Sequence, residues 1–551
     1  MLFRMLCQTT NTYPTKNALI LGNQRITYHN LLLQVKNVKH KLLSLGVKEQ
    51  DCAALVLPNS LEFVSCFYAL SSLHAISLLL DPHSKAAELK SLFLANDIKF
   101  VITNAEYGTS CKKAIHEIGK KIFCIVIDEL VEQEIIAVPD LSEGFSHASA
   151  SEVAAYEGPV IYQYSSGSTG RSKKVCRTQQ NLVRETEMGT RAMRMTASDN
   201  VLCAIPLFHA FGFGRCMLAS LATGATLVIM EQVKDGLNRP VPVVLQTLPM
   251  LELIRQERIT MLPSSPYLFG VLAETPDTVH TDLSSLRLCL TAGNFLPAET
   301  FQRFKKRFGI PLRSAYGSTE TGSIAINMEK DSDVQHDCVG VPLAGVEVKI
   351  TDDTMAELST GQVGEIAVKS GSVTSGYVNM PELNAKAFRD GFFLTGDLGR
   401  KDEQGRLYVT GRKKVFIDSG GEKVDPQEVE QVLSAHPAVK EVAVVGVPGP
   451  YGGEAIKAVI IPREALTEAD VLSFCRERLT DYKIPRFVVF REALPRSPLG
   501  KLLRKHLIEE PDDASSDGAS KSLVEKVGRG TAVRIRKTLY VKAFWDQFQG
   551  W

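Results

Sequence analysis

Between residues 31 and 92, stretches with apolar residues at helical spacing (LLLQVKNVKHKLLSLG, SLEFVSCFYALSSLHA) alternate with short unbroken apolar runs (CAALVLP, AISLLLDP). That alternation predicts α/β layering. It continues through KFVITN, IFCIVID, ATLVIM, ITMLPSS and LRLCLTAG, each a buried strand leading into a helical segment or a Gly/Ser/Pro loop. From 340 to 408 the texture changes to alternating strands with Gly-rich turns (GVEVKITDD, GEIAVKSG, GRLYVTG), which predicts a β-rich subdomain. After Gly411 come KVFIDSGGEKV, a helix over 426–435, then EVAVVGVP, KAVIIPRE, another helix and FVVFREALP, the pattern of a small α+β module. Residues 511–522 are polar, Gly/Ser-rich and free of apolar periodicity, as in a linker. The expected organisation is a large N-terminal α/β domain over 1–411, a small C-terminal domain over 412–510, and a linker with a tail over 511–551. No internal repeat interrupts it.

Composition narrows the function. A chain of 551 residues, 44% hydrophobic and 23% charged, exceeds the size at which single cores stop growing. Its net charge of +1 supplies no strong field for nucleic acid or an anionic membrane, so small molecules are the expected partners. The 11 cysteines form no CxxC pair or metal-like cluster and read as reduced core thiols. The first residues, MLFRMLCQTTNTYPTK, have too short an apolar stretch for a signal peptide, and no later run reaches membrane-spanning length. A cytoplasmic protein without a membrane span is the expectation.

The first candidate chemistry is the segment YSSGSTGRSK, residues 164–173, which leaves the apolar strand PVIYQ. Glycines let backbone approach phosphate oxygens, while hydroxyls and a lysine supply donors and charge. It is not a Walker loop, because Ser172 stands where the second glycine would be. Taken alone, such a loop is more often an ordinary surface connection.

The loop is one of six motifs that occur in a fixed order: YSSGSTGRSKK, PLFHAFGFG at 206–214, YGSTE at 316–320, TGD at 395–397, GRKKVFIDSGGEKVDPQEVE at 411–430 and LPRSPLGKLLR at 494–504. Together they resemble the adenylate-forming superfamily of acyl- and aryl-CoA ligases, luciferases and peptide-synthetase adenylation domains, over nearly everything from Asn17 to Arg504. The resemblance implies an α/β N-terminal domain with a small mobile C-terminal domain, and activation of a carboxylic acid by ATP and Mg²⁺ followed by transfer to a thiol. It implies that Ser165, Ser166, Gly167, Ser168, Thr169, Gly170 and Lys173 hold phosphates. Ser172 and Lys174 replace a usual proline and glycine, which implies slower or looser ATP handling. YGSTE combines an aromatic face, a hydroxyl and a carboxylate, suited to stacking adenine, touching the α-phosphate and holding a cation. By resemblance these are Tyr316, Gly317, Ser318, Thr319 and Glu320, with Glu320 the metal ligand. Asp397 and Arg412 are implied ribose contacts, although TGD by itself reads as a turn with a capping aspartate. Lys501 resembles the mobile lysine of adenylation and Lys414 the hinge between half-reactions, where a lone loop lysine is ordinarily just solvated.

His209 and Phe211 match the mouth of the acyl pocket and LTAGNFLP a pocket wall, with Ala292, Gly293 and Asn294 at its bend. A buried histidine in such an apolar segment is otherwise structural. Arg215, one helical turn beyond Phe211, either meets a polar or anionic substrate end, since a buried guanidinium needs a partner, or snorkels to the surface. Residues 201–214 contain no acidic side chain to hold an amine, which disfavours amino-acid substrates. The compact interval from Tyr316 to Asp397 resembles CoA ligases rather than ligases that load carrier proteins. Coenzyme A is therefore the expected acceptor, a carrier protein the alternative, and a degenerate nucleotide binder the third. The tail over 521–551 is basic and carries Trp545 and Trp551, either a docking segment for an acidic carrier or a packing tail.

Overall fold

The computed structural model describes residues 1–128, 156–165, 173–231, 233, 243, 246–276, 278–279, 282–412, 416–419, 422–449, 453–495 and 504–509. Contacts divide the chain into two units: residues 1–416 with 476–481, and 417–475 with 482–551.

The larger unit holds three sheets. One has eight strands, in the order 322–326, 312–318, 288–291, 261–264, 200–203, 226–229, 17–21 and 24–27. Its six inner strands run parallel, and an antiparallel strand closes each edge. The second has six strands, in the order 123–126, 100–103, 52–56, 76–79, 159–165 and 173–178, parallel except for the last pair. The runs CAALVLP and ATLVIM become strands Cys52–Val56 and Thr226–Ile229, buried at every position. Unbroken apolar runs are what a parallel strand covered by helices on both faces requires. The third sheet is antiparallel and is built from Cys338–Gly340, Leu407–Arg412, Phe392–Lys401, Gly364–Ser370 and Val346–Thr351, with the short strand Phe388–Arg389 beside Phe392–Lys401.

Helices cover these sheets with ordinary caps. Helix Leu61–Ser72 is capped by Ser60, whose hydroxyl accepts from Phe63 N. Helix Gln179–Ala192 starts in a full capping box between Thr178 and Asn181. The chain opens with a helix, Leu2–Thr12, whose Leu2 and Leu6 are buried.

In the smaller unit, strands Val439–Pro448, Glu454–Pro462 and Phe487–Phe490 form one sheet, and Ile417–Ser419 pairs with Glu422–Val424. Helix Pro426–Ser434 presents Glu430, which accepts the Val444 N–H at 2.7 Å and the Arg504 guanidinium at 2.6 Å. Arg504 also donates to the Val444 carbonyl at 2.7 Å, so the end of the LPRSPLGKLLR motif is anchored to this sheet.

Candidate active site

The parallel strands of the eight-stranded sheet deliver three motifs to one edge. Strand Leu312–Ser318 ends inside YGSTE, Leu288–Thr291 runs into Ala292, Gly293 and Asn294, and Asn200–Cys203 runs into PLFHAFGFG. Carboxyl ends of parallel strands are where ligands bind in such sheets, because side chains and backbone there are freed from the ladder.

The phosphate-loop motif comes from the other α/β sheet. Ser165 closes strand Pro159–Ser165, Lys173 opens strand Lys173–Thr178, and the two stand opposite each other in the antiparallel pair. The residues between them, including Ser166, Gly167, Ser168, Thr169 and Gly170, lie outside the described residues. The Ser165 hydroxyl donates to Glu320 Oε1 at 2.7 Å, joining the edges of the two sheets. Tyr377 OH donates to the same oxygen at 2.9 Å, and the Lys173 ammonium lies 5.0 Å from the centroid of the Tyr377 ring. The Glu320 backbone carbonyl accepts Thr374 N–H at 2.7 Å, so side chain and main chain are both held. No hydrogen bond reaches Glu320 Oε2 from the described residues.

Asp397 lies within strand Phe392–Lys401, buried, and accepts the Tyr316 phenol at 2.7 Å. The reading of TGD as a simple turn is thereby overturned: Asp397 sits in a ladder opposite Arg412, aimed at YGSTE. The Arg412 side chain, Lys414 and Lys501 lie outside the described residues. Thr319 is half-buried in the turn before Glu320. Gly317 and Ser318 finish the strand, and Ser318 N–H donates to Thr321 Oγ1 at 3.0 Å. Lys174 places its ammonium 4.8 Å from the Tyr162 ring centroid, and burial pulls its pKa down.

His209 is exposed rather than buried, because the chain turns between Pro206 and Phe213 and directs it outward. Its Nδ1 accepts the Phe211 N–H at 3.3 Å, which leaves the proton on Nε2. Phe211 is half-buried against the core. Gly212–Leu218 forms a π-helix, fully buried. Arg215 within it is 1% exposed, which rules out the snorkelling alternative. Its Nη2 donates to the Glu185 carbonyl at 3.2 Å and to Glu185 Oε1 at 3.0 Å, while Arg177 Nη1 donates to Oε2 at 2.6 Å. Burial pushes the Glu185 carboxyl upward, but the two guanidinium groups outweigh it and hold the pKa below the usual carboxylate range.

This cluster lies against the turn that carries Thr319 and Glu320. A Cβ on Gly322 would fall 2.7 Å from the Glu185 carboxyl, Arg177 Nη2 donates to the Ser372 carbonyl at 3.0 Å, and Ser372 Oγ donates to the Thr321 carbonyl at 2.7 Å. Tyr377, Ser372, Arg177 and Glu185 were not identified from sequence; no motif carries them.

Among the described residues no group of three or more His, Cys, Asp or Glu could hold a metal ion. A lone carboxylate with one open oxygen, as in Glu320, fits a Mg²⁺ that arrives on nucleotide phosphates, since that ion keeps most ligands from substrate and water. All 11 cysteines are free, and among the described residues no helix is long and apolar enough to cross a membrane.

Comparison with known proteins places this geometry. Residues 6–378 match the model of the AMP-binding enzyme family and residues 428–501 that of the AMP-binding enzyme C-terminal domain. The long-chain-fatty-acid–CoA ligase of Bacillus subtilis is 28% identical over 537 residues, covering 92% of this chain and 94% of that one. The 4-coumarate–CoA ligase 1 of Arabidopsis thaliana is 30% identical, covering 91% of each. Among solved structures, o-succinylbenzoate CoA synthetase from Bacillus subtilis, bound with a product analogue, superposes with a TM-score of 0.78 at 28% identity, over 92% of this chain and 98% of its own.

Proposed function

This chain belongs to the AMP-binding enzyme family, and we propose from that membership that it is an acid–thiol ligase, activating a carboxylic acid as its acyl-AMP and passing the acyl group to coenzyme A. The observation that supports this most is the convergence of Ser165 and Tyr377 on Glu320, which fixes a carboxylate beside the base of a phosphate loop.

In the first half-reaction a substrate carboxylate oxygen attacks the α-phosphorus of ATP, and the bond to the bridging oxygen breaks to release pyrophosphate. The site's task is positioning and charge neutralisation, with no protein nucleophile. Lys173 and the loop donors take the β- and γ-phosphates, and the Thr319 hydroxyl lies at the α-phosphate. Tyr316, its phenol fixed by Asp397, offers a ring face to adenine, and Asp397 with Arg412 takes the ribose hydroxyls. Mg²⁺, held by Glu320, would offset charge on the phosphate oxygens. Lys501 contacts the reacting carboxylate. In the second half-reaction the thiol sulfur bonds to the acyl carbon, AMP leaves with the bonding electron pair, and the thiol proton is lost. Lys414 serves as the hinge between the halves. His209 and Phe211 stand at the acyl entrance, with Ala292, Gly293 and Asn294 forming a wall.

Pyrophosphate release with ATP and Mg²⁺ across aliphatic, aryl and amino acids, each with and without coenzyme A, tests the reading. Turnover by one acid that requires coenzyme A supports it. Acid-dependent ATP–pyrophosphate exchange indifferent to coenzyme A transfers the acceptor role to a carrier protein. No release with any acid overturns it.

A further inference from the structure

The Arg177–Glu185–Arg215 cluster sets two guanidinium groups on one carboxylate, an excess positive charge sealed from solvent. Arg177 uses both terminal nitrogens: Nη1 on Glu185, and Nη2 on the carbonyls of Ser372 at 3.0 Å and Asn181 at 3.5 Å. Arg215 does not. Both of its bonds issue from Nη2, and its Nε and Nη1 are buried with no hydrogen-bond partner. Idle donors on a buried cation are unfavourable, and in a folded protein they mark a place where a ligand or water completes the shell.

The position of these donors favours a ligand. Arg215 is carried by a π-helical segment, a rare geometry that recurs at functional sites, and that segment begins directly after Phe211. Glu185, its partner, lies against Gly322, two residues past Glu320. The cluster therefore connects the acyl-entrance motif with the turn of the reacting end. Its guanidinium is seated by a glycine: a Cβ on Gly189 would fall 1.4 Å from Arg215 Nη1.

We propose that Arg215 recognises a second carboxylate at the far end of the acid, so that the preferred substrates are dicarboxylic acids activated at one end only. The distal carboxylate brings the cluster to charge balance and accepts from the idle donors, while Glu185 keeps the guanidinium in place when no substrate is bound. Without Glu185 two buried cations would face each other. This inference rests on the ligase reading above and narrows its substrate class.

The test uses the full-length enzyme with ATP, Mg²⁺ and coenzyme A, and reads pyrophosphate release from matched acids: succinate, adipate and suberate against butyrate, hexanoate and octanoate. Dicarboxylates are expected to exceed their monocarboxylate partners in kcat/KM by about tenfold or more, because a site built to hydrogen-bond a group rejects the analogue lacking it. Arg215→Met is expected to collapse that ratio and Arg215→Lys to retain part of it. Arg177 still neutralises Glu185 in both variants, and circular dichroism checks that they fold; the wild-type ranking decides the matter if they do not. A wild-type preference for monocarboxylates, or a ratio that Arg215→Met leaves unchanged, overturns the inference and leaves the ligase reading intact. No release from any acid, with no heat of adipate binding by calorimetry, overturns both.

Discussion

Replacing Tyr377 by phenylalanine removes one oxygen and leaves the ring over which Lys173 lies. The lost contact is the 2.9 Å bond to Glu320 Oε1, an oxygen that also accepts from Ser165 at 2.7 Å. A hydrogen bond to a charged group contributes about 1.5–3 kcal/mol. If the bond serves to fix the carboxylate for the transition state, that energy appears as a loss of about 10- to 100-fold in kcat/KM. The same loss shifts the Mg²⁺ dependence to higher concentration, because a carboxylate with one restraint removed no longer waits in the binding pose. Acid-dependent ATP–pyrophosphate exchange, titrated with Mg²⁺, reads both quantities. Ser165→Ala completes a double-mutant cycle, in which two donors on one oxygen should be strongly non-additive. The reasoning is refuted if Tyr377→Phe lowers the melting temperature but leaves kcat/KM within about twofold and the Mg²⁺ midpoint unmoved, for then the hydroxyl only braces the fold.

Lys501→Ala is expected to abolish acyl-AMP formation while sparing thioester formation from synthetic acyl-AMP, checked by assaying the two half-reactions separately; equal loss of both removes Lys501 from the first step. Gly189→Ala, ordinarily stabilising inside a helix by roughly 0.5–1 kcal/mol, should here destabilise, because the new methyl group falls on the Arg215 guanidinium; thermal unfolding gives the sign. Glu185 has its pKa lowered in the folded state, so its contribution is fully present above the ordinary carboxylate value of 4.5 and is lost as pH falls through the lower, folded value. Denaturant titrations from neutral to acidic pH should show Glu185→Gln about 3 kcal/mol less stable at pH 7, with the difference narrowing in acid.

What was legible in the sequence depended on how local its cause was. Strands such as Cys52–Val56 and Thr226–Ile229 announce themselves because burial on both faces demands an unbroken apolar run. YGSTE and the phosphate-loop motif were legible through their residue chemistry and their order along the chain, and the structure brings the described members, Ser165 and Glu320, into contact. Tyr377 was invisible because its role is made by partners far off in sequence and no composition rule marks it. The π-helix escaped because its apolar pattern over seven residues does not separate a wider turn from an ordinary one. Arg215 was read correctly as needing a partner, yet that partner, Glu185, is on another helix, beyond the reach of spacing arguments. His209 looked buried because its neighbours are apolar, whereas backbone direction alone sets its exposure. Leu2–Thr12 went unread because the opening stretch was weighed only as a targeting signal.

The seating of Arg215 also constrains how this sequence can drift. The space a side chain at 189 would fill is taken by the guanidinium, and the guanidinium is tolerable only beside an anion at 185. These three positions on two helices behave as a single inherited character. A descendant that gains a methyl at 189 must shorten 215, and one that shortens 215 leaves Glu185 with Arg177 alone and opens a void where a longer, uncharged acyl chain finds room. Substrate range would then change in a jump, through paired substitutions, rather than by gradual trimming of a pocket wall.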